Sequence, residues 1–206
     1  MPYLVTRGQG RTTARENHNS FLRPKPTGPF YSALVDGDPL SADHRTMIPT
    51  AVRVEKFSPQ AEFCHLMLHS GQRILICHQR MVAKLEELEP GLHETFPLTI
   101  KIRDSSEVLE GVYFLTHVTE KAACFDEDKT RWRTMRDEKF GHEAAIDALY
   151  SPGDETKIVL KQSEIVGRHL WRGAPMLGAR SMFCSDELAD FVRAEELRGW
   201  RLIKCQ

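Results

Sequence analysis

The sequence predicts an α+β protein, with a mixed, mostly antiparallel sheet and a few short helices packed on it. Three observations carry this. Phe96, Leu98, Ile100 and Ile102 alternate with Pro97, Thr99, Lys101 and Arg103, the period of a strand with one buried and one wet face. Two apolar stripes of helical period stand far apart in the chain, at Met81, Val82, Leu85 and Leu88 and at Leu188, Phe191 and Val192. The elements also follow one another in no regular strand–helix–strand order, which argues against a doubly wound parallel sheet. A length of 206 residues accommodates one domain with a real core or two small ones. Residues 1–59 read as an N-terminal extended arm and irregular region and residues 60–206 as the α+β core, together one continuous globular domain.

Taken in order, residues 7–29 are polar and then rich in Pro and Gly, the composition of an extended arm. Residues 36–46 (DGDPLSADHRT) read as a turn-rich loop, and Val52 and Val54 open a strand. Arg73 to Cys77 is apolar on both faces, as in a central strand. A helix over 79–89 follows and is stopped by Pro90 and Gly91. The strand from Phe96 to Ile102 has its start marked as an edge or end by Pro97. Glu110 to Val118 is another strand, with Lys121 to Phe125 available to pair with it. Residues 139–150 suit a short helix closed by Pro152 and Gly153, and Thr156 to Lys161 a strand with Ile158 and Leu160 on one face.

The closing block is the most ordered in pattern. Met182 to Cys184 is a short apolar strand, and Ser185 can cap a helix by accepting from a first-turn N–H. Asp186 and Glu187 then lie at the positive end of the helix dipole. Leu188 occupies the place where a capping box would need Glu or Gln. Leu197 falls off the apolar stripe, so the helix ends near Glu195 or Glu196. Gly199 then turns the chain into a last strand, Trp200-Arg201-Leu202-Ile203.

Composition excludes several function classes. A hydrophobic fraction of 41% and a charged fraction of 28% describe a soluble globular protein. A net charge of −1 excludes a general electrostatic affinity for nucleic acid. No apolar run approaches the roughly 20 residues that span a bilayer, and the first 20 residues have no secretory segment. A cytoplasmic location with no membrane and no nucleic-acid partner is the expectation. The 5 cysteines, Cys64, Cys77, Cys124, Cys184 and Cys205, are odd in number and set among apolar residues, which favours free buried thiols over a disulfide framework.

The pattern LWR, an apolar strand, SDEL, a short helix and L-x-G-W-R-L resembles a bacterial immunity-protein family, the eleventh numbered immunity family of polymorphic toxin systems. The matching residues are Leu170, Trp171, Arg172, Ser185, Asp186, Glu187, Leu188, Gly199 and Trp200. Residues 74–97, with the segment PGLHETFP, and residues 111–128 also fit, so the resemblance covers roughly 60–206. It implies a small cytosolic protein that binds and blocks a cognate secreted toxin, encoded by a neighbouring gene, in the cell that makes it. The chain departs from the pattern in its Pro/Gly-rich arm and at Glu196, where a small residue or Gly is expected. These motifs identify a scaffold rather than a chemistry.

Several groups of residues that could carry chemistry also have ordinary structural roles. Cys64, His65, His69, Cys77 and His78 are zinc-type ligands. On a strand, however, His65 and His69 stand about 13 Å apart, too far to share one ion. The loop carboxylates Asp36, Asp38 and Asp43 with His44 lack the glycine and terminal Glu of a calcium loop. No metal and no cofactor are therefore expected. The sequence contains no nucleophile elbow, Walker loop, zinc-protease helix or dinucleotide fingerprint, so no catalytic residue is assigned. Asp126, Glu127, Asp128, Asp137 and Glu138 form an acidic stretch interleaved with Lys129, Arg131, Arg133 and Arg136, which reads first as a self-compensating solvated surface. The functional alternative is a docking edge for a basic toxin cleft, with Trp132 as its anchor. The leading expectation is a non-enzymatic toxin inhibitor. The alternatives are an enzyme that reverses the toxin's modification or acts on a small molecule, which would need a pocket of convergent polar groups, and a generic protein-binding module.

Overall fold

The computed structural model describes residues 1–7, 22–23, 28–54, 66–67, 74–102, 108–130, 133–137, 142–146, 158–173 and 181–206. The strands are β1 (Tyr3–Arg7), β2 (Leu22–Arg23), β3 (Ala51–Val54), β4 (Leu66–Met67), β5 (Leu75–His78), β6 (Glu94–Ile102), β7 (Val108–His117), β8 (Lys121–Ala122), β9 (Arg133–Asp137), β10 (His142–Ile146), β11 (Leu170–Gly173), β12 (Met182–Cys184) and β13 (Trp200–Lys204). The helices are α1 (Gly28–Asp36), α2 (Ala42–Thr46), α3 (Gln79–Leu88) and α4 (Asp186–Ala194), with one turn of 3₁₀ helix at Gln162–Glu164. Most strand pairs are antiparallel, the β3–β6 and β8–β11 pairs being parallel. The fold class is α+β, as the sequence predicts. The chain divides into two compact units, one made of residues 1–6, 120–189 and 202–206, the other of residues 7–119 and 190–201.

The second of these units is built on a six-stranded sheet in the order β2-β3-β6-β7-β5-β4. Its core is the face carrying Val52, Ile76, Leu98, Ile100, Tyr113 and Leu115, covered by Phe30, Leu34 and Val35 of α1. Leu98 and Ile100 are buried while Pro97 and Lys101 are exposed, the alternation expected of β6. The strand lies inside the sheet rather than at its edge, yet Pro97 causes no loss there. Pairing with β3 begins only at Thr99, so on that side Pro97 has no ladder partner to disappoint. Helix α3 follows β5 as expected and buries Met81 and Leu85.

The other unit holds a five-stranded sheet in the order β13-β1-β12-β11-β8. Its core gathers Leu4, Phe125, Ile158, Leu160, Trp171, Phe183 and Ile203. The rings are tightly ordered: Trp171 stacks on Phe183 with centroids 5.9 Å apart, and Phe125 meets Phe183 edge-on at 5.6 Å. A two-stranded pair, β9–β10, belongs to neither large sheet.

Three expectations are corrected and a fourth is met in part. Residues 36–46 are not all loop, because Asp36 ends α1 and residues 42–46 form α2, whose cap Ser41 accepts from the His44 N–H at 3.1 Å. Within the expected helix 139–150, residues 142–146 form a strand paired antiparallel with β9. A stretch this short has weak helical preference of its own, and strand pairing overrides it. Lys121 and Ala122 pair in parallel with Arg172 and Gly173 of β11, not with β7. Of the strand expected at 156–161, the described part makes one bridge, Phe125 to Leu160, with Ile158 and Leu160 both buried as the alternation requires. The arm expected over 7–29 falls largely outside the described residues.

Candidate functional site

The motif residues assemble at the junction of β11, β12 and the start of α4. Leu170, Trp171 and Arg172 lie opposite Cys184, Phe183 and Met182. All three are buried, Arg172 included. Gly173 ends the strand where only hydrogen fits, since a Cβ there would stand 2.7 Å from the Phe125 ring and 3.2 Å from that of Phe183. The Ser185 N–H reaches the His169 carbonyl at 3.0 Å, which ties the LWR and SDEL segments together through the backbone. Ser185 Oγ accepts from the Leu188 N–H at 3.2 Å, so it is the expected helix cap. Asp186 and Glu187 remain exposed on the first turn and Leu188 is buried. Gly199, with φ of 102°, turns the chain into β13, where Trp200 is half-buried.

The end of α4 closes as a Schellman motif. The Glu196 N–H bonds the Arg193 carbonyl at 3.1 Å and the Leu197 N–H bonds the Val192 carbonyl at 3.0 Å. Glu196 therefore sits in the left-handed region at φ 52°, where Gly is the usual occupant, and Leu197 folds back into the interior. The departure from the family pattern at Glu196 is accommodated by backbone conformation, with the local strain that a side chain brings there.

His169 and Ser185 raise the question of nucleophilic chemistry. His169 Nδ1 is 3.0 Å from Ser185 Oγ and 3.9 Å from Glu187 Oε2. Hydroxyl and carboxylate thus share one ring nitrogen. A relay needs them on opposite nitrogens, the acid orienting the ring and the other nitrogen facing the hydroxyl. With Ser185 Oγ also occupied by the Leu188 N–H, the arrangement is a helix cap with an imidazole braced against it.

The acidic stretch is only partly in view. Asp126 accepts from the Lys129 backbone N–H at 3.3 Å and from Lys129 Nζ at 2.8 Å, closing a turn. The hydrogen bond from Lys129 holds the Asp126 carboxyl below its ordinary range, and Asp126 raises Lys129 in return. The turn is fastened to Val159, whose carbonyl accepts from both the Asp126 N–H (2.9 Å) and Thr130 Oγ1 (3.0 Å). Glu127 and Asp128 are exposed on it. Of the remaining candidates, Asp137 ends β9 with its backbone opposite His142, while Trp132 and Glu138 lie outside the described residues.

Among the candidate metal ligands, Cys64, His65 and His69 lie outside the described residues. Cys77 is fully buried, and desolvation pushes its thiol up to about 12. Asp36, Asp38 and Asp43 are distributed over the end of α1, the link that follows it and the first turn of α2. No group of three or more His, Cys, Asp or Glu side chains that could hold a metal ion occurs among the described residues. Cys124, Cys184 and Cys205 are also buried and in no disulfide, and burial raises Cys205 to about 12.

Sequence reasoning missed a set of buried polar groups in the unit of residues 7–119 and 190–201. His78 Nδ1 accepts from the Arg80 N–H at 3.2 Å and so caps α3. His93 Nε2 meets Glu89 Oε2 at 2.8 Å with both side chains 3% exposed. His117 Nε2 lies 2.9 Å from the Asp38 carbonyl and must donate to it. The signals were present, as a His directly before a helical stripe and Glu89 four residues ahead of His93, but none is a usual motif.

No described helix is long and apolar enough to cross a membrane. A comparison with curated proteins gives no match. The sequence model described as "Immunity protein family (Imm11)" matches residues 48–206. That span takes in both large sheets apart from β1 and β2, and all of the junction at β11, β12 and α4. A match over so much of the chain, with the LWR and SDEL segments bonded into one corner, makes this protein a member of the Imm11 immunity protein family.

Proposed function

We propose that the chain is the inhibitor half of an effector–immunity pair in a polymorphic toxin system. It binds one cognate toxin, encoded by a neighbouring gene, in the cytoplasm of the producing cell and blocks its active site without turnover. The family match over residues 48–206 carries this reading. Two features agree with inhibition by binding. The Ser185–His169–Glu187 group is arranged as a cap rather than a relay, and the Cys77 and Cys205 thiols are held neutral.

The candidate contact set is Asp126, Glu127, Asp128, Trp132, Asp137 and Glu138. Glu127 and Asp128 favour this assignment because they are exposed on a turn whose backbone is pinned at Val159. Preorganised charge of this kind steers association with a basic partner surface. The test is co-expression of the chain with the toxin-like protein encoded beside it, scoring growth and recovery of a complex on a tagged chain. Rescue of growth with a stoichiometric complex is expected. Rescue with no complex would replace inhibition by an enzymatic reversal of damage, and failure to rescue would end the reading.

A further inference from the structure

Helix α3 begins at a histidine, and histidine is an unusual cap because its ability to accept depends on proton occupancy. His78 has extended backbone (φ −67°, ψ 149°), and its Nδ1 accepts the Arg80 N–H at 3.2 Å. A ring nitrogen that accepts carries no proton, so the imidazole is held neutral with its hydrogen on Nε2. The residue is 4% exposed and sits edge-on to Tyr113, centroids 5.3 Å apart. A second proton would have three effects on this geometry. It would turn the acceptor into a donor facing a donor, place a cation at the positive end of the helix dipole, and charge a buried ring.

We propose that His78 is an acid-labile cap, which holds the first turn of α3 when neutral and releases it when Nδ1 takes up a proton. Among the described residues, the titratable and charged groups set around it are Tyr113 from β7, Cys77 from β5, Arg80 on α3 and, behind Arg80, Glu195 beyond the end of α4. Arg80 pairs with Glu195, so release of the first turn of α3 also loosens this tie within the same unit. Cys77 stays neutral, held so by burial. The sign follows from linkage. The unfolded chain takes up a proton that the capped fold excludes, so the cap's stability is fully present above the ordinary imidazole range, near pH 6.5, and is lost as pH falls through it. His117, also buried in this unit, donates to a carbonyl from Nε2 and keeps that bond in either charge state.

A single substitution isolates His78. His78→Asn keeps a side-chain acceptor at the cap but does not titrate. Thermal unfolding of the full chain and of this variant is followed from pH 8 to pH 5. The natural chain is expected to lose about 2–4 °C more in midpoint than the Asn variant over that range, the effect of one cap. Parallel curves would overturn the proposal. Nitrogen NMR of the imidazoles in the natural chain decides independently should the variant not fold. A protonless Nδ1 on His78 at pH 8 that gains its proton as the first-turn amides of α3 lose protection supports the cap. A proton on Nδ1 at pH 8 refutes it.

Discussion

At Gly173 the cost of one methyl group is set by the aromatic rings around it. A Cβ there would meet Phe125 at 2.7 Å and Phe183 at 3.2 Å, and both rings are buried, Phe183 stacked on Trp171 and Phe125 edge-on to Phe183. Gly173→Ala is expected to destabilise the protein by about 1–3 kcal/mol in chemical unfolding, the cost of overpacking a fixed core. Glu196 is the opposite case, because its side chain is held at a left-handed position, φ 52°. Glu196→Gly should therefore stabilise by about 0.5–1 kcal/mol, the relief of strain exceeding the extra chain entropy of glycine. No change on that substitution would show that the Schellman turn is not formed as described. The buried cysteines give a third expectation at this scale. With burial pushing Cys77 and Cys205 up to about 12, neither thiol should be alkylated at pH 8 in the native protein, and both should react once it is unfolded.

Among the elements, α4 shows most directly how local chemistry sets a boundary. Ser185 satisfies the Leu188 N–H at one end, and the Glu196 and Leu197 N–H groups close the other. Ser185→Ala should cost about 1 kcal/mol, read as a fall of about 2–4 °C in the thermal midpoint. The helix was legible in the sequence because cap, dipole charges and apolar stripe agree. The same holds for β5, α3, β6 and β7, whose periods are strong and whose breakers, Pro90 and Gly91, fall between them.

Other elements were not legible, for identifiable reasons. Pro29 reads as a breaker, yet it lies in the first turn of α1, where its missing N–H is no loss, and the helix then buries Phe30, Ala33 and Leu34. Helix α2 is only five residues long and buries none of them, so it leaves no stripe to see. The parallel pairing of β8 with β11 joins residues about fifty apart in the chain, and nothing in either two- or four-residue stretch specifies its partner. His78 went unseen as a cap because the residue type is rare in that role, although its position just before the stripe of α3 was plain.

For the molecule as a whole, the LWR and SDEL segments read in the sequence as a scaffold. In the structure Leu170, Trp171 and Arg172 are buried strand positions, Ser185 is a helix cap bonded to the His169 carbonyl, and Asp186 and Glu187 are exposed. The proposed contact surface was not legible, since such a surface has no period and no cap to betray it. Under the proposed function, part of it is the pinned turn of Asp126 to Thr130. Reversing the two exposed charges together, Glu127→Lys with Asp128→Lys, should leave thermal stability within about 0.5 kcal/mol. It should also slow association with the toxin and flatten its salt dependence. An unchanged association rate would move the contact surface elsewhere.

Inhibition by binding one partner is decided by titrating the purified chain into a fixed amount of the proposed cognate toxin and following toxin activity. A linear fall to a stoichiometric end point is expected, with toxin and inhibitor eluting together as one species. Loss of toxic effect at a small fraction of an equivalent, with no complex recovered, would rule out inhibition by binding.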